Sequence, residues 1–182
     1  MRTTILIAFL APVLLQAQDY VQPSPTTASG GMSSRVNIGL GVGLDYGGLI
    51  GVHAGFLADP HFGGFAGVGY ALVGAGYNAG VFGRILPEAR FCPVVSAMYG
   101  YNAVIKVEGA SQYDRIYYGP SFGAGVEFHK RSSKNFWRLQ ILVPLRPEAY
   151  KSDMDALKRD PRIEIKAEPP AFGISGGFHF GL

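Results

Sequence analysis

Large apolar side chains occupy every second position of the segment 35–45. Val36, Ile38, Leu40 and Val42 share one parity, and the positions between them are mainly glycine. Successive side chains of a β-strand point to opposite faces, so the pattern predicts a strand with one wide apolar face and one face of small residues. The second face of a strand in a soluble sandwich is usually charged, whereas this one suits a crowded interior.

The same division recurs further along the chain, for example in 118–129, 136–145 and 171–182. Counting such segments predicts eight strands, at 35–45, 48–58, 63–73, 78–86, 91–105, 116–129, 136–145 and 171–182. The connections after strands two, four and six are short, and two of the other four, 106–115 and 146–170, are longer. We therefore expect an all-β fold, a closed antiparallel up-and-down transmembrane β-barrel of about eight strands.

Closure follows from the apolar outer face, because unpaired strand edges cannot lie in hydrocarbon. Strands of roughly 9–11 residues also match the thickness of a bilayer. Residues 148–159 have a helical period, which predicts a short helix in the last loop. Aromatic residues near strand ends are expected to form girdles at the membrane interfaces: Tyr46, Tyr70, Tyr77, Tyr99, Tyr101, Tyr117, Tyr118, Phe136 and Trp137.

The amino terminus has the features of a secretory signal. Arg2 precedes a short apolar run that ends at Leu15, and Ala17 provides a small residue for cleavage. We expect residues 1–17 to be a signal peptide, 18–34 to be a flexible periplasmic lead-in rich in Pro, Ser, Thr and Gly, and 35–182 to be the barrel domain. Cys92 is the only cysteine, so no disulfide can form within the chain.

Composition supports this class and excludes others. The chain of 182 residues contains 26 glycines, and its charged residues reach only 16%, against a usual ~25%. A mean hydropathy of +0.16 argues against intrinsic disorder, and the glycine content argues against a helical bundle. Removal of Arg2 with the signal lowers the net charge from +3 to +2, so no nucleic-acid partner is expected.

The carboxyl terminus carries a family resemblance. A polar residue, a glycine two positions later, an aromatic and a final apolar residue occupy Ser175, Gly177, Phe180 and Leu182, and they look like the assembly signal of bacterial outer-membrane β-barrels. Leu182 stands where Phe is commoner. The chain from residue 18 onward resembles small eight-stranded barrels of the OmpA/OmpX-like family. The resemblance implies a Gram-negative outer membrane, surrounding outer-membrane lipid, periplasmic chaperones and the barrel-assembly machinery.

The ionisable residues predict a polar interior and no catalytic site. Ser121 and His129 share a face with Glu127, but Ser121 is about 27 Å from His129 along a strand at ~3.4 Å per residue. The histidines lack metal-ligand spacing, and Cys92 has no cysteine partner, so neither metal nor cofactor is expected. Inward polar residues are instead predicted to form an interior network, with these candidates: Arg84, Glu127, Arg138, Gln140 and His179.

We expect an integral outer-membrane protein with a structural or interaction role and no catalysis. Eight strands leave an interior that side chains just fill, so a wide pore is not expected. The outer loop 146–170 carries six basic and six acidic residues and could contact lipopolysaccharide or another envelope protein. Two alternatives stay open: a soluble exported lipocalin-like barrel that binds an apolar ligand, and an outer-membrane enzyme that modifies lipid A.

Overall fold

The computed structural model describes residues 34–107, 114–130, 132–159 and 170–182. Eight antiparallel strands form a closed barrel in which each strand pairs with its sequence neighbours and β1 also pairs with β8. The strands are β1 Val36–Gly43, β2 Gly48–Leu57, β3 Phe62–Tyr70, β4 Ala75–Arg84, β5 Phe91–Ile105, β6 Arg115–His129, β7 Phe136–Pro144 and β8 Gly173–Gly181. The predicted closed, up-and-down, eight-stranded barrel is confirmed.

The strand ends differ from prediction by up to three residues, and local backbone geometry explains the differences. β1 ends two residues early because the chain enters a 3₁₀ turn, Leu44–Tyr46, which Gly47 closes with a left-handed φ of 80°. β3 ends at Tyr70, where Leu72 adopts a φ of 65° and turns the chain toward β4. The predicted helix is confirmed as α1, Glu148–Arg159.

The β5–β6 hairpin extends beyond the rest of the barrel. β4 pairs with β5 only as far as Gly100, and β7 pairs with β6 only from Ser121 onward. The part of the hairpin farthest from the short turns, residues 101–105 and 115–120, is therefore a two-stranded ribbon. Helix α1 packs on one side of it through a small apolar cluster, which consists of Ala103, Ile105, Tyr117, Tyr150 and Met154.

A polar contact fixes the same helix to the ribbon. Asp153 on α1 accepts hydrogen bonds from the Tyr117 hydroxyl at 2.6 Å and from Arg115 at 2.9 Å. These two bonds lower the pKa of the Asp153 carboxyl, and the Tyr117 hydroxyl has the larger effect.

No helix among the described residues is long and apolar enough to cross a membrane.

Predicted regions 1–17 and 18–33 lie outside the described residues, as does part of the outer loop, 160–169. Ser34, the last residue of the expected lead-in, bonds through its hydroxyl to the Val36 carbonyl at 2.9 Å and to the carbonyl of Leu182. The two chain ends of the barrel domain therefore meet at the closure of the sheet, beside the short turns.

Candidate functional site

The outer wall of the barrel is apolar around its whole circumference. Each of the eight strands places large hydrophobic side chains on this wall, with exposed fractions such as 55% for Leu40 and 59% for Trp137. In β1 and β7 the exposed residues are the large members of the alternating pattern: Val36, Ile38, Leu40, Val42, Trp137, Leu139, Ile141 and Val143. The wall thus carries the side chains that a water-soluble protein would bury.

The opposite parity points into the lumen, where many of the buried side chains are polar. These include charged, amide, hydroxyl and imidazole groups: Asn37, Asp45, His53, Asn78, Arg84, Ser96, Asn102, Ser121, Glu127, Arg138, Gln140, Ser175 and His179. An apolar cluster fills the rest of the lumen, mainly on the β2–β5 side: Leu57, Phe65, Phe82, Val94, Met98 and Leu142. Buried polar groups need partners, so their hydrogen bonds determine how the interior is organised.

Glu127 is the centre of a buried charge cluster near the end of the barrel that carries the short turns. Arg84 Nε lies 2.8 Å from one carboxylate oxygen, and Arg138 contacts the other at 2.5 and 3.0 Å. His129, on the same strand, contacts the first oxygen at 3.0 Å. The Arg138 guanidinium also lies over the Phe82 ring at 4.6 Å, so the cluster satisfies its charges by ion pairing and cation–π contact.

The 3₁₀ turn after β1 folds into the lumen and forms a second polar group. Asp45 accepts hydrogen bonds from Gln140 Nε2 at 3.1 Å and from the Ser175 hydroxyl. Tyr46 is fully buried, and its hydroxyl lies 2.7 Å from His179 Nε2. One short turn therefore contacts both β7 and β8 inside the barrel and occupies part of the lumen.

Glycine makes room for this turn. A Cβ at Gly41 or at Gly177 would lie 2.5 Å from the Tyr46 ring, closer than real Cβ contacts come. A Cβ at Gly39 would meet the His179 ring at 2.6 Å. These inward glycines admit large neighbours, as the sequence pattern suggested.

All five predicted network candidates are buried in the lumen, but they divide between the two groups. Arg84, Glu127 and Arg138 are in direct contact, whereas Gln140 and His179 bond to the 3₁₀ turn. The turn itself was not anticipated as part of the network. His53 lies between the two groups. Its Nε2 is 3.4 Å from Arg138 of the charge cluster, and its ring centroid is 4.9 Å from that of His179, which bonds to the turn. The His53 ring also stacks on Phe65.

Sequence reasoning missed several members of the network that strand parity could have found. Asn37 shares the inward parity of the glycines in β1, and its side chain bonds to His179 Nδ1 at 2.9 Å. His53 shares the inward parity of Gly51 and Gly55 in β2. Asp45 also shares this parity in the predicted strand 35–45, but Tyr46 carried no such signal, because its placement depends on a turn and on distant partners.

The girdle prediction is wrong for four of its aromatics. Tyr46 and Phe136 lie inside the lumen, and Tyr101 and Tyr117 are also buried. Phe136 stacks on His179 with ring centroids 4.6 Å apart. Exposed aromatics do occur on the outer wall, and those from the predicted set are Tyr70, Tyr77, Tyr99 and Trp137.

The residues of the expected assembly signal lie at the barrel seam. Ser175 and Gly177 point into the lumen, while Phe180 and Leu182 are exposed on the outside. β8 pairs with β7 and β1, and the Leu182 amide donates to the Val36 carbonyl at 3.0 Å. The signal segment is thus the strand that closes the barrel.

The candidate hydrolase residues do not meet. Ser121 accepts a hydrogen bond from Asn102 at 3.1 Å near the middle of β6, whereas His129 bonds to Glu127 at the end of the strand. Within the described ranges, no group of three His, Cys, Asp or Glu residues could hold a metal ion. The described part of the interior is filled and charge-paired.

Comparison with known proteins adds no relative. No protein-family model matches the sequence, and no curated protein matches it. Fold and side-chain chemistry therefore carry the functional argument.

Proposed function

We propose that the protein is an integral β-barrel of the bacterial outer membrane with a structural or interaction role. The observation that carries this proposal is the continuous apolar wall around a lumen that contains the charges. Soluble monomers rarely expose a contiguous apolar patch larger than a few hundred Å². A wall to which all eight strands contribute is compatible with lipid as the surrounding solvent.

Closure of the sheet supports the same proposal. Every strand has a partner on both sides, so the barrel presents no open edge along its wall. The sequence adds an expected signal peptide and a carboxyl-terminal assembly signal, which favour export and insertion by the barrel-assembly machinery. The proposed orientation places the short turns on the periplasmic side of the membrane. Helix α1 and the β5–β6 ribbon then lie at the outer surface.

The lumen argues against the two alternatives. A lipocalin-like carrier needs an apolar internal cavity, yet this lumen holds the Glu127 charge cluster and the inward-folded turn with Asp45. A lipid A-modifying enzyme needs an accessible set of reacting groups, and the candidate Ser121 lies near the middle of β6 whereas His129 lies at its end. Contacts with lipopolysaccharide or an envelope protein through 146–170 remain part of the proposal.

Cell fractionation combined with a gel assay tests the proposal. We expect the full chain to stay with the membrane after a urea wash, and to migrate differently on a gel before and after boiling because the folded barrel resists unheated detergent. Recovery of folded protein from the periplasm without detergent would overturn the proposal.

A matched pair of variants sharpens the test. Leu139→Arg puts a charge near the middle of β7 on the outer wall, which in lipid should cost about 2–4 kcal/mol and lower the folded yield. Leu145→Arg puts the same charge just past the end of β7, where the cost should be at most about 1 kcal/mol. Equal behaviour of the two variants would argue that the wall faces water.

A further inference from the structure

The outer wall contains a groove across strands β3–β6. It has a volume of about 830 Å³. Its floor and sides are almost entirely apolar, and the outward residues that shape it are Phe62, Gly64, Val81, Val95, Ala97 and Phe122. The wall formed by β1 and β7 presents Ile, Leu and Val at the corresponding outward positions.

Packing of the barrel does not require the glycines of this groove. A Cβ at Gly64 would come no closer than 3.6 Å to a neighbouring atom, and one at Gly83 no closer than 3.5 Å, both ordinary contacts. Neither residue has a positive φ. By contrast, inward glycines such as Gly41 are excluded from bearing a side chain by Tyr46. The groove is therefore a feature of the outer surface and not a consequence of interior packing.

A cationic side chain lies on the same wall beside the short turns. The Arg90 guanidinium is 5.8 Å from the centroid of the Phe91 ring, and Phe91 is exposed on the outside. The Arg90 carbonyl accepts a hydrogen bond from the His129 amide at 2.8 Å, which fixes its backbone at the rim of the barrel. An arginine that lies over an outward aromatic at a membrane rim is positioned to meet a lipid phosphate.

The distance from Arg90 to the groove is comparable to the distance from the phosphate of a phospholipid to the middle of its acyl chain. Val95 lines the groove four residues beyond Phe91 on β5, a distance of about 14 Å at ~3.4 Å per residue. A phosphate at the rim and an acyl chain running along the wall would span that interval.

We propose that the groove binds one phospholipid from the leaflet on the side of the short turns, with an acyl chain between Phe62 and Phe122 and its phosphate at Arg90. This inference rests on the proposed membrane location. It adds a specific lipid site to a wall that otherwise contacts lipid without selection.

Native mass spectrometry of the full chain, folded in detergent and titrated with palmitoyl-oleoyl phosphatidylglycerol, tests the site. We expect one phospholipid bound to the natural protein at low lipid concentration. Ala97→Leu fills the groove and should weaken binding about tenfold, since the chain loses burial of roughly two methylenes. Ala54→Leu makes the same change on β2 outside the groove and should bind as the natural protein does.

The headgroup contact has its own matched pair. Arg90→Gln should weaken phosphatidylglycerol binding, whereas Lys134→Gln, at the short turn that lies against Gly181 of β8, should not. Gly64→Leu, whose Cβ would make only an ordinary contact with the Gly80 carbonyl, serves as a second groove variant if Ala97→Leu fails to fold.

Three results would overturn the inference: equal lipid retention by groove and control variants, no retained lipid on the natural protein, or a dimer that the groove variants dissociate. The last result would assign the groove to a second copy of the chain. Each of these can occur with a barrel that stays in the membrane after a urea wash, so they differ from failure of the proposed function, in which the chain is recovered as a soluble protein.

Discussion

Replacement of Glu127 by glutamine removes a carboxylate that forms ion pairs with two buried guanidinium groups. The side chains of Arg84 and Arg138 are 1% and 2% exposed, and Glu127 is fully buried between them. Breaking a buried ion pair by removal of one partner costs about 3–5 kcal/mol, because the remaining charge is left uncompensated. Since two arginines lose their ion pair with Glu127 here, we expect the free energy of unfolding to fall by at least the lower end of that range.

The measurement is urea unfolding of the barrel in lipid vesicles, followed by the fluorescence of Trp137, the single tryptophan of the chain. Glu148→Gln is the matched control, because Glu148 pairs with Lys151 at 2.6 Å while both side chains are exposed. An exposed pair of this kind contributes at most about 1 kcal/mol. A Glu127→Gln loss no larger than the control would refute the account of the charge cluster.

A triple replacement separates pairing from packing. Changing Glu127, Arg84 and Arg138 together to methionine removes all three charges, and apolar replacement of buried ion networks is often neutral or stabilising. We expect the triple variant to be more stable than Glu127→Gln. A triple variant as unstable as the single one would mean that shape, and not unpaired charge, causes the loss.

Three further predictions concern the inward turn and the docked helix. Gly177→Ala should destabilise the barrel by about 1–3 kcal/mol because the new methyl meets the Tyr46 ring, whereas Gly83→Ala, with space around it, should change the urea midpoint little. Tyr46→Phe should cost about 1–3 kcal/mol in the same assay by leaving the buried β8 imidazole without its hydroxyl partner, and an unchanged midpoint would contradict that bond. The Tyr117 hydroxyl helps to hold the pKa of Asp153 below its ordinary value of 3.8, so docking of α1 is stabilised above that pH and loses this contribution as pH falls through the lowered pKa. The protection factors of the α1 amides, which are hydrogen-exchange rates corrected for their intrinsic pH dependence, should therefore fall in acid, and Asp153→Asn should remove that dependence.

The fold was predictable because one period-two pattern encodes both faces of each strand. The large residues of β1 and β7 lie outward and their small or polar neighbours lie inward, as parity requires. Parity also explains one error, since Phe136 shares the inward parity of Arg138 and is buried with it. Its aromatic character near a strand end suggested a girdle, but position in the strand decided its direction.

The inward turn could not be predicted from local sequence. The pattern predicts Asp45 as the end of the first strand and Tyr46 as a girdle aromatic, yet both belong to a turn that is held inside by Gln140, Ser175 and His179 from strands far along the chain. Such contacts form only when the barrel closes. The buried state of Tyr101 has a similar origin, because the pairing of β5 with β6 shifts register just after it.

Spin labels placed singly along β1 and β7, in the full chain folded in lipid vesicles, test the central claim most directly. Labels at Ile38, Leu40, Leu139 and Ile141 should collide with oxygen dissolved in the lipid and be shielded from a water-soluble nickel chelate, whereas a label at the exposed Glu148 on α1 should show the reverse preference. Ready access of the nickel chelate to all four outward positions would show that the apolar wall faces water, and would contradict the membrane location.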